Sequence, residues 1–401
     1  MIHKIVIENF FSVADRQEIV LKAPGNAPDM PCFRPSHADP DERLPLVVGF
    51  FGPNASGKST ILRAVVAATA FARESFTLPI DGTIPFFQPY MRKDWMRKPS
   101  IIEVEFDGHI SVDQPASLFR YTLHIAHNFE SINPSPFKTV AYEALFHAPK
   151  GKFRKIFERK GQGFSFGKEF GITDSDPRVL SIRSNASTIS TLAQLNHKQS
   201  MDFKSFLAGI KTNIAGYDRA QGHANQMLPF YSENPVYLEH LIQELQRLDV
   251  GLETMKIEQG NMGTNAMFKH VGLDMPIYMN EESAGTRRFI EIFPRLQYVL
   301  ETGSVALIDE LDMDLHPLLI PELFRWFSDK QRNPHGAQLF FTAHNPALLD
   351  ELEKEQIFFT EKPSGEPSRV YGARDIKGLR REPSLMKKYL GGELGAVPHI
   401  G

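Results

Sequence analysis

Ten residues of this sequence have the types and spacing for phosphate chemistry: Phe51, Gly52, Pro53, Asn54, Ala55, Ser56, Gly57, Lys58, Ser59 and Thr60. They match G-x-x-x-x-G-K-[ST], a turn whose successive backbone N–H groups point inward at phosphate oxygens while a lysine reaches the β/γ pair. Gly52 and Gly57 stand where a Cβ would block the approach of phosphate. Lys58 carries the charge, and the Ser59 hydroxyl would ligate Mg²⁺. The alternative is a glycine-rich turn that only joins a strand to a helix. Context weighs against it, because Leu46 to Phe51 reads as a buried strand and Ile61 to Ala68 as a helix whose positive end would face a nucleotide.

A second group of residues could complete such a site. Val305-Ala306-Leu307-Ile308 runs into Asp309-Glu310, the form of a buried parallel strand that delivers two acids to the carboxyl edge of a sheet. Neighbours on a strand point to opposite sides, so the two acids would divide the labour. Behind a phosphate loop Asp309 would hold the Mg²⁺ shell and Glu310 would polarise an attacking water. Without that loop the run is an ordinary strand end. Ser283-Ala284-Gly285-Thr286, ahead of the helical run Phe289 to Leu300, can cradle an anion through a hydroxyl and the N–H groups of a helix start. His344, after the apolar Leu339 to Ala343, could donate to a γ-phosphate; a core histidine is the other reading.

The elements that must position these groups follow from composition and periodicity. With 401 residues, 42% hydrophobic and 23% charged, the chain can bury a large α/β core. A formal net charge of -3 gives no overall pull toward nucleic acid and leaves local basic stretches open. One cysteine, Cys32, excludes an internal disulfide and a cysteine-rich zinc site and suits a reducing cytoplasm. No stretch approaches the ~20 apolar residues of a membrane span, so a cytoplasmic protein without membrane contact is expected.

Ile2 to Ile7 and Gln17 to Leu21 alternate as two antiparallel strands, and Ala23 to Leu44, rich in Pro, Asp and His, reads as a surface loop. Pro79 to Pro99 is irregular. Strand pairs follow over 101–106 with 119–125, and over 140–147 with 153–158. The second hairpin carries Lys150, Lys152, Arg154, Lys155, Arg159 and Lys160, a solvated face or a nucleic-acid contact. Ser187 through Phe206 reads as helical. Val236 to Leu248 places Leu238, Leu241, Ile242, Leu245 and Leu248 on one helical face. Long heptads are absent, so no coiled-coil arm is expected. The expected organisation is an N-terminal half over 1–200 with a β lobe at about 100–165, a helical insert over 201–262, and a C-terminal half over 263–401.

In this order of phosphate loop, Ser-x-Gly-Thr helix, acidic strand and histidine strand, the chain resembles the ABC-type AAA family ATPase heads of the SMC and OLD group. It is most similar to the RloA/AbiL type and the ATPase subunit of PARIS, from bacterial anti-phage loci. The resemblance takes in Glu8-Asn9-Phe10-Phe11-Ser12-Val13, Pro85-Phe86 before Lys98-Pro99-Ser100, Asp312 with Leu315-His316-Pro317, and the tail from Arg380-Arg381-Glu382 through Lys388-Tyr389-Leu390 to Pro398. Two departures are Ala343, where a Thr commonly precedes the histidine, and Glu393-Leu394, where an aromatic pair is usual. The fold it implies is α/β: a P-loop head with a mixed sheet, an antiparallel β lobe and a short helical insert.

The resemblance also implies ATP and Mg²⁺ as cofactors, Gln88 as a glutamine-loop metal contact, and Lys58, Glu310 and His344 as the hydrolytic groups. It implies a homodimer, or a higher even-numbered homo-oligomer, in which Ser283, Gly285 and Thr286 of one protomer close over the nucleotide held by the other. The segment after His344 is shorter than the ~100 residues of a separate nuclease domain, so a separately encoded effector, such as a TOPRIM-like nuclease or a toxin, is expected in anti-phage defence. The rival expectation is a DNA-engaging SMC-like ATPase of repair or chromosome maintenance, using the basic hairpin with Arg92, Lys93, Arg97 and Lys98.

Overall fold

The computed structural model describes residues 1–25, 27–109, 115–129, 137–214, 224–248, 251–260, 263–379 and 384–397. Its strands gather chiefly into two sheets separated by one long helix. The first sheet has seven antiparallel strands in the order Gly163–Phe166, Arg154–Lys160, Phe137–Ala148, Ser117–Asn128, Ser100–Gly108, Ile2–Glu8 and Gln17–Val20. Alternation explains it: Ile102, Val104 and Phe106 are buried while Ile101, Glu103 and Glu105 between them are half-buried. The β lobe is larger than the expected 100–165, because Ile2–Glu8 pairs with Ser100–Gly108 on one edge and with Gln17–Val20 on the other.

The second sheet runs Lys211–Thr212, Val305–Ile308, Gln338–Thr342, Val47–Phe51, Ile357–Glu361 and Arg369–Gly372. All its pairings are parallel except the last. Val47–Phe51, Val305–Ile308 and Gln338–Thr342 are buried at every position, as continuous apolar strands covered on both faces must be. The histidine strand therefore lies between the phosphate-loop strand and the acidic strand, and all three end at the same carboxyl edge. Helix Lys58–Glu74 buries Ile61, Leu62, Val65, Ala68 and Phe71 and touches strands of both sheets. The expected α/β class, with a mixed sheet and an antiparallel lobe, is the one observed.

Four local expectations are corrected. Within 23–44, Phe33–Pro35 and Arg43–Pro45 pair antiparallel, and Ala23, Ala27 and Phe33 form a small core of their own. The irregular 79–99 contains a single helical turn, Lys93–Met96. The helical run from Ser187 divides into Thr188–Gln194 and Lys198–Ala208, with Asn196 at a left-handed φ of 59° between them. The segment 201–262 is not purely helical. Beside helices Ala224–Glu233 and Pro235–Arg247 it contributes Lys211–Thr212 to the phosphate-loop sheet, and its strand Leu252–Gly260 pairs with Gly263–His270 across the expected boundary. Sheet hydrogen bonds tie these pieces to both neighbours, which hydropathy cannot register. The expected tail residues Arg380, Arg381, Glu382 and Pro398 lie outside the described residues.

Candidate nucleotide site

A cavity of about 1050 Å³ opens at the carboxyl edge of the parallel sheet. The phosphate loop from Asn54 to Thr60 lines one wall, and Glu310, Asp312 and His344 line another. Gly52 and Gly57 have φ of 149° and 108°, and a Cβ on Gly52 would stand 2.2 Å from the Thr360 carbonyl oxygen. These positions thus need glycine for backbone reasons, whatever the loop binds. Gly52 and Pro53 stay outside the cavity lining; their carbonyls accept hydrogen bonds from Lys58 Nζ at 2.8 and 3.0 Å. Burial pushes the Lys58 ammonium below its ordinary value, against the opposing pull of Asp309, Asp312 and Glu310.

The acids sit differently from the sequence expectation. The strand ends at Ile308, and Asp309 and Glu310 follow on a turn in which Glu310 takes a left-handed φ of 51°. The turn and not the pleat therefore sets the different directions of the two carboxylates. Asp309 Oδ1 accepts from Ser59 Oγ at 2.8 Å and from Thr342 Oγ1 at 2.7 Å. The Glu310 carboxylate stays half exposed in the cavity, with Oε1 4.0 Å from His344 Nε2. The other ring nitrogen of His344 is 3.4 Å from Lys58 Nζ. His344 is 42% exposed at its side chain, so it is not a core histidine. Asp312 accepts the backbone N–H groups of His344 and Asn345 at 2.8 and 2.7 Å, which fixes the loop that carries the imidazole.

Gln88 is exposed and lines the same cavity, and its backbone carbonyl accepts from Phe11 N at 2.8 Å. The Ser-x-Gly-Thr segment does not line it. Ser283 caps helix Ala284–Thr302, its Oγ accepting from Thr286 N at 3.0 Å. Behind it the buried Glu282 carboxylate accepts from Ser283 N and lies 2.7 Å from His270 Nε2.

The donor set fits a small hard cation: a serine hydroxyl and an aspartate oxygen already meet at 2.8 Å. Among the described residues no group of three or more His, Cys, Asp or Glu is placed to hold a metal. Mg²⁺ bound by Ser59 and Asp309 would complete its shell from phosphate oxygens and water, as it does where few protein ligands are offered. Lys58, Arg63, Arg92 and Lys362 line the cavity and give it positive charge of the kind that would attract a phosphate group.

A family model described as "AAA domain, putative AbiEii toxin, Type IV TA system" matches residues 47–350. The chain belongs to this family. The match begins at the first residue of the phosphate-loop strand and ends beyond His344, so this AAA domain embraces the loop, cradle, acids and histidine while the N-terminal hairpin lies outside it. No curated protein matches the chain. Solved structures similar to it include an SMC head bound to the C-terminal winged-helix domain of ScpA (13% identity, 96% of this chain and 99% of that one, TM-score 0.48). Others are the SMC head domain of Thermotoga maritima (13%, 92% and 98%, TM-score 0.44) and that of Pyrococcus yayanosii with a coiled coil and joint (10%, 98% and 99%, TM-score 0.47). Among the described residues no helix is long and apolar enough to cross a membrane.

Three residues from other parts of the AAA domain hold the acidic turn, a role that the sequence alone does not assign them. Thr342 binds Asp309 through its hydroxyl and accepts from Glu310 N at 2.7 Å. Asn213 grips Asp309 from both sides, donating to its carbonyl at 2.8 Å and accepting from its N–H at 2.7 Å. Arg288 reaches the carbonyls of Asp309 and Glu310 at 3.2 and 3.3 Å. Asn and Thr carry no spacing signal here. Arg288 could have been noticed as a basic residue one turn inside the cradle helix.

Proposed function

We propose that this AAA domain is a cytoplasmic, ATP-gated switch. It binds and hydrolyses ATP between two protomers and controls a separately encoded effector in anti-phage defence, in the manner of the RloA/AbiL and PARIS ATPases. The observation that carries this reading is the split of the phosphate-facing groups. The loop, Glu310, Asp312 and His344 line one cavity, while a capped Ser-x-Gly-Thr helix start stands outside it. An anion cradle that its own chain leaves outside the cavity suits a nucleotide held by a twin, and two-fold symmetry would make two such sites at once.

In each site Lys58 would hold the β/γ-phosphates, and Ser59 with Asp309 would hold Mg²⁺. When bound, that ion neutralises phosphate charge and orients the terminal group. Glu310 would accept a proton from the attacking water, with His344 hydrogen-bonding the γ-phosphate beside it. The partner's Ser283 and Gly285 would supply the remaining donors. The γ-phosphate then stabilises the closed pair through charge-assisted hydrogen bonds that vanish on hydrolysis, and the pair loosens.

The family's description names a toxin and a toxin–antitoxin system, which suits a chain that works beside a second gene product, such as a TOPRIM-like nuclease. The DNA-engaging alternative loses Arg159 and finds Arg154 paired, while Lys150, Lys152, Lys160, Arg92, Lys93 and Lys98 stay exposed. Arg159 is fully buried, 3.7 Å from Glu143 and bonded to the Ala186 carbonyl, and Arg154 pairs with Glu169. The test mixes a Lys58→Ala protomer with a Ser283→Arg protomer, each inactive by itself. Shared sites predict partial recovery of turnover in the mixture, and no recovery at any ratio would exclude the sandwich. Duplex DNA that stimulates hydrolysis with a steep salt dependence would restore the alternative.

A further inference from the structure

The start of the cradle helix and the acidic turn touch each other within one protomer. Arg288, five residues beyond the Ser283 cap, is largely buried and directs Nη2 at the carbonyl oxygens of Asp309 (3.2 Å) and Glu310 (3.3 Å), while Nη1 pairs with Glu291 of its own helix at 3.1 Å. A second contact is independent of that side chain. Gly285 lies so close to the turn that a Cβ there would stand 2.9 Å from the Asp314 carbonyl oxygen. The turn itself is strained, with left-handed φ at the non-glycine residues Glu310 (51°) and Asp314 (61°), a conformation that persists only where surrounding groups hold it.

We propose that Arg288 is a positioning residue that couples the two nucleotide sites, setting the Glu310 turn of one site according to whether the cradle of the other is engaged. The inference rests on the sandwich reading. In a two-fold pair each protomer's acidic turn serves its own nucleotide and its cradle serves the partner's. A cradle drawn onto a γ-phosphate moves the helix that carries Arg288, and the guanidinium transmits that movement to the carbonyls flanking the general base. Arg288 touches neither nucleotide. Its effect falls on where the Glu310 carboxylate stands, and displacement of a catalytic group by about 1 Å can cost about a hundredfold in rate. Asn213, just beyond the adjoining edge strand, grips the same turn through its own side chain, whose hydrogen bonds run to Asp309; the strand itself is tied to the cradle helix by Arg295, which donates to the Thr212 carbonyl at 2.8 Å, so the control removes the Asn213 side chain alone and leaves that tie in place.

The experiment uses the full chain and measures steady-state hydrolysis against ATP concentration, with binding of a fluorescent ATP analogue measured in parallel. Wild type should give a sigmoidal curve with a Hill coefficient approaching about 2, the number of sites. Arg288→Gln should lower kcat about 10- to 100-fold and return the curve to a hyperbola, with analogue affinity changed less than about threefold. Arg288→Lys, which keeps the charge and can reach one carbonyl, should recover part of both. It carries the test if the glutamine variant does not fold. Asn213→Ala should lower kcat and leave the curve sigmoidal. Equal Hill coefficients for wild type and both Arg288 variants, a hyperbolic wild type, or Asn213→Ala losing sigmoidicity as Arg288→Gln does would overturn the coupling and leave the ATPase reading intact. A wild type that binds ATP and never hydrolyses it would overturn both.

Discussion

Replacing Glu310 with Gln is the sharpest test of the catalytic assignment. The change swaps one carboxylate oxygen for an amide nitrogen and leaves the surroundings in place: the Glu310 N–H bond to Thr342 is made by the backbone, and the side chains of Ser59 and Lys58 bond to Asp309 and to the Gly52 carbonyl. The side chain is about half exposed and its carboxylate stands 4.0 Å from His344 Nε2, beyond hydrogen-bond reach, so stability should change by less than about 0.5 kcal/mol. Loss of a positioned general base costs about 10²- to 10⁴-fold in rate, or about 2.7–5.4 kcal/mol at 1.36 kcal/mol per tenfold. ATP binding should survive, so the variant should accumulate as a closed dimer. Single-turnover hydrolysis gives the chemical step, and light scattering after gel filtration with ATP and Mg²⁺ gives the mass. Hydrolysis within about threefold of wild type would show that another group takes the proton. A purely monomeric mass with ATP bound would refute the shared site.

Other variants probe the supports of the site. Thr342→Val removes a fully buried hydroxyl that both donates to Asp309 and accepts from Glu310 N. It should lower unfolding free energy by about 1–3 kcal/mol and raise the Mg²⁺ concentration needed for half-maximal turnover. Gly52→Ala should abolish binding of a fluorescent ATP analogue, because its Cβ meets the Thr360 carbonyl at 2.2 Å with φ at 149°. Arg159→Ala leaves Glu143 buried without its cation and should cost about 3–5 kcal/mol, read as a fall in Tm, whereas Lys150→Ala at the exposed hairpin tip should change nothing measurable.

Acid should destabilise the fold through its histidines. Burial pushes His127 down to about 4 and also lowers His124, His147 and His197. Below the ordinary value near 6.5 the unfolded chain takes up protons that the folded chain refuses until about pH 4. Stability is therefore fully present above about pH 7 and declines as pH falls through that window. His127→Gln should flatten part of the decline in a Tm-against-pH series, and an unchanged slope would remove His127 from the account.

The phosphate loop was legible because its chemistry is contiguous. Ten neighbouring residues supply the turn, the amides, the lysine and the hydroxyl, and the flanking strand and helix announce themselves by hydropathy. The acidic run, the Ser-x-Gly-Thr helix start and His344 were legible as candidates by type and order, since each stands at the end of an apolar or amphipathic run that must be buried. Tertiary structure decided the rest. Strand order alone sets the histidine strand between loop and acids, and so brings Asp309 to Ser59 across 250 positions of sequence. The left-handed turn at Glu310 and its supports Asn213, Thr342 and Arg288 have no sequence signature, because their work is hydrogen bonding to backbone groups that any residue could present. The same cause makes the segment 201–262 part of the ATPase sheet and leaves the β lobe larger than expected: pairing depends on which edges meet in space, and an edge is not written in the residues that form it.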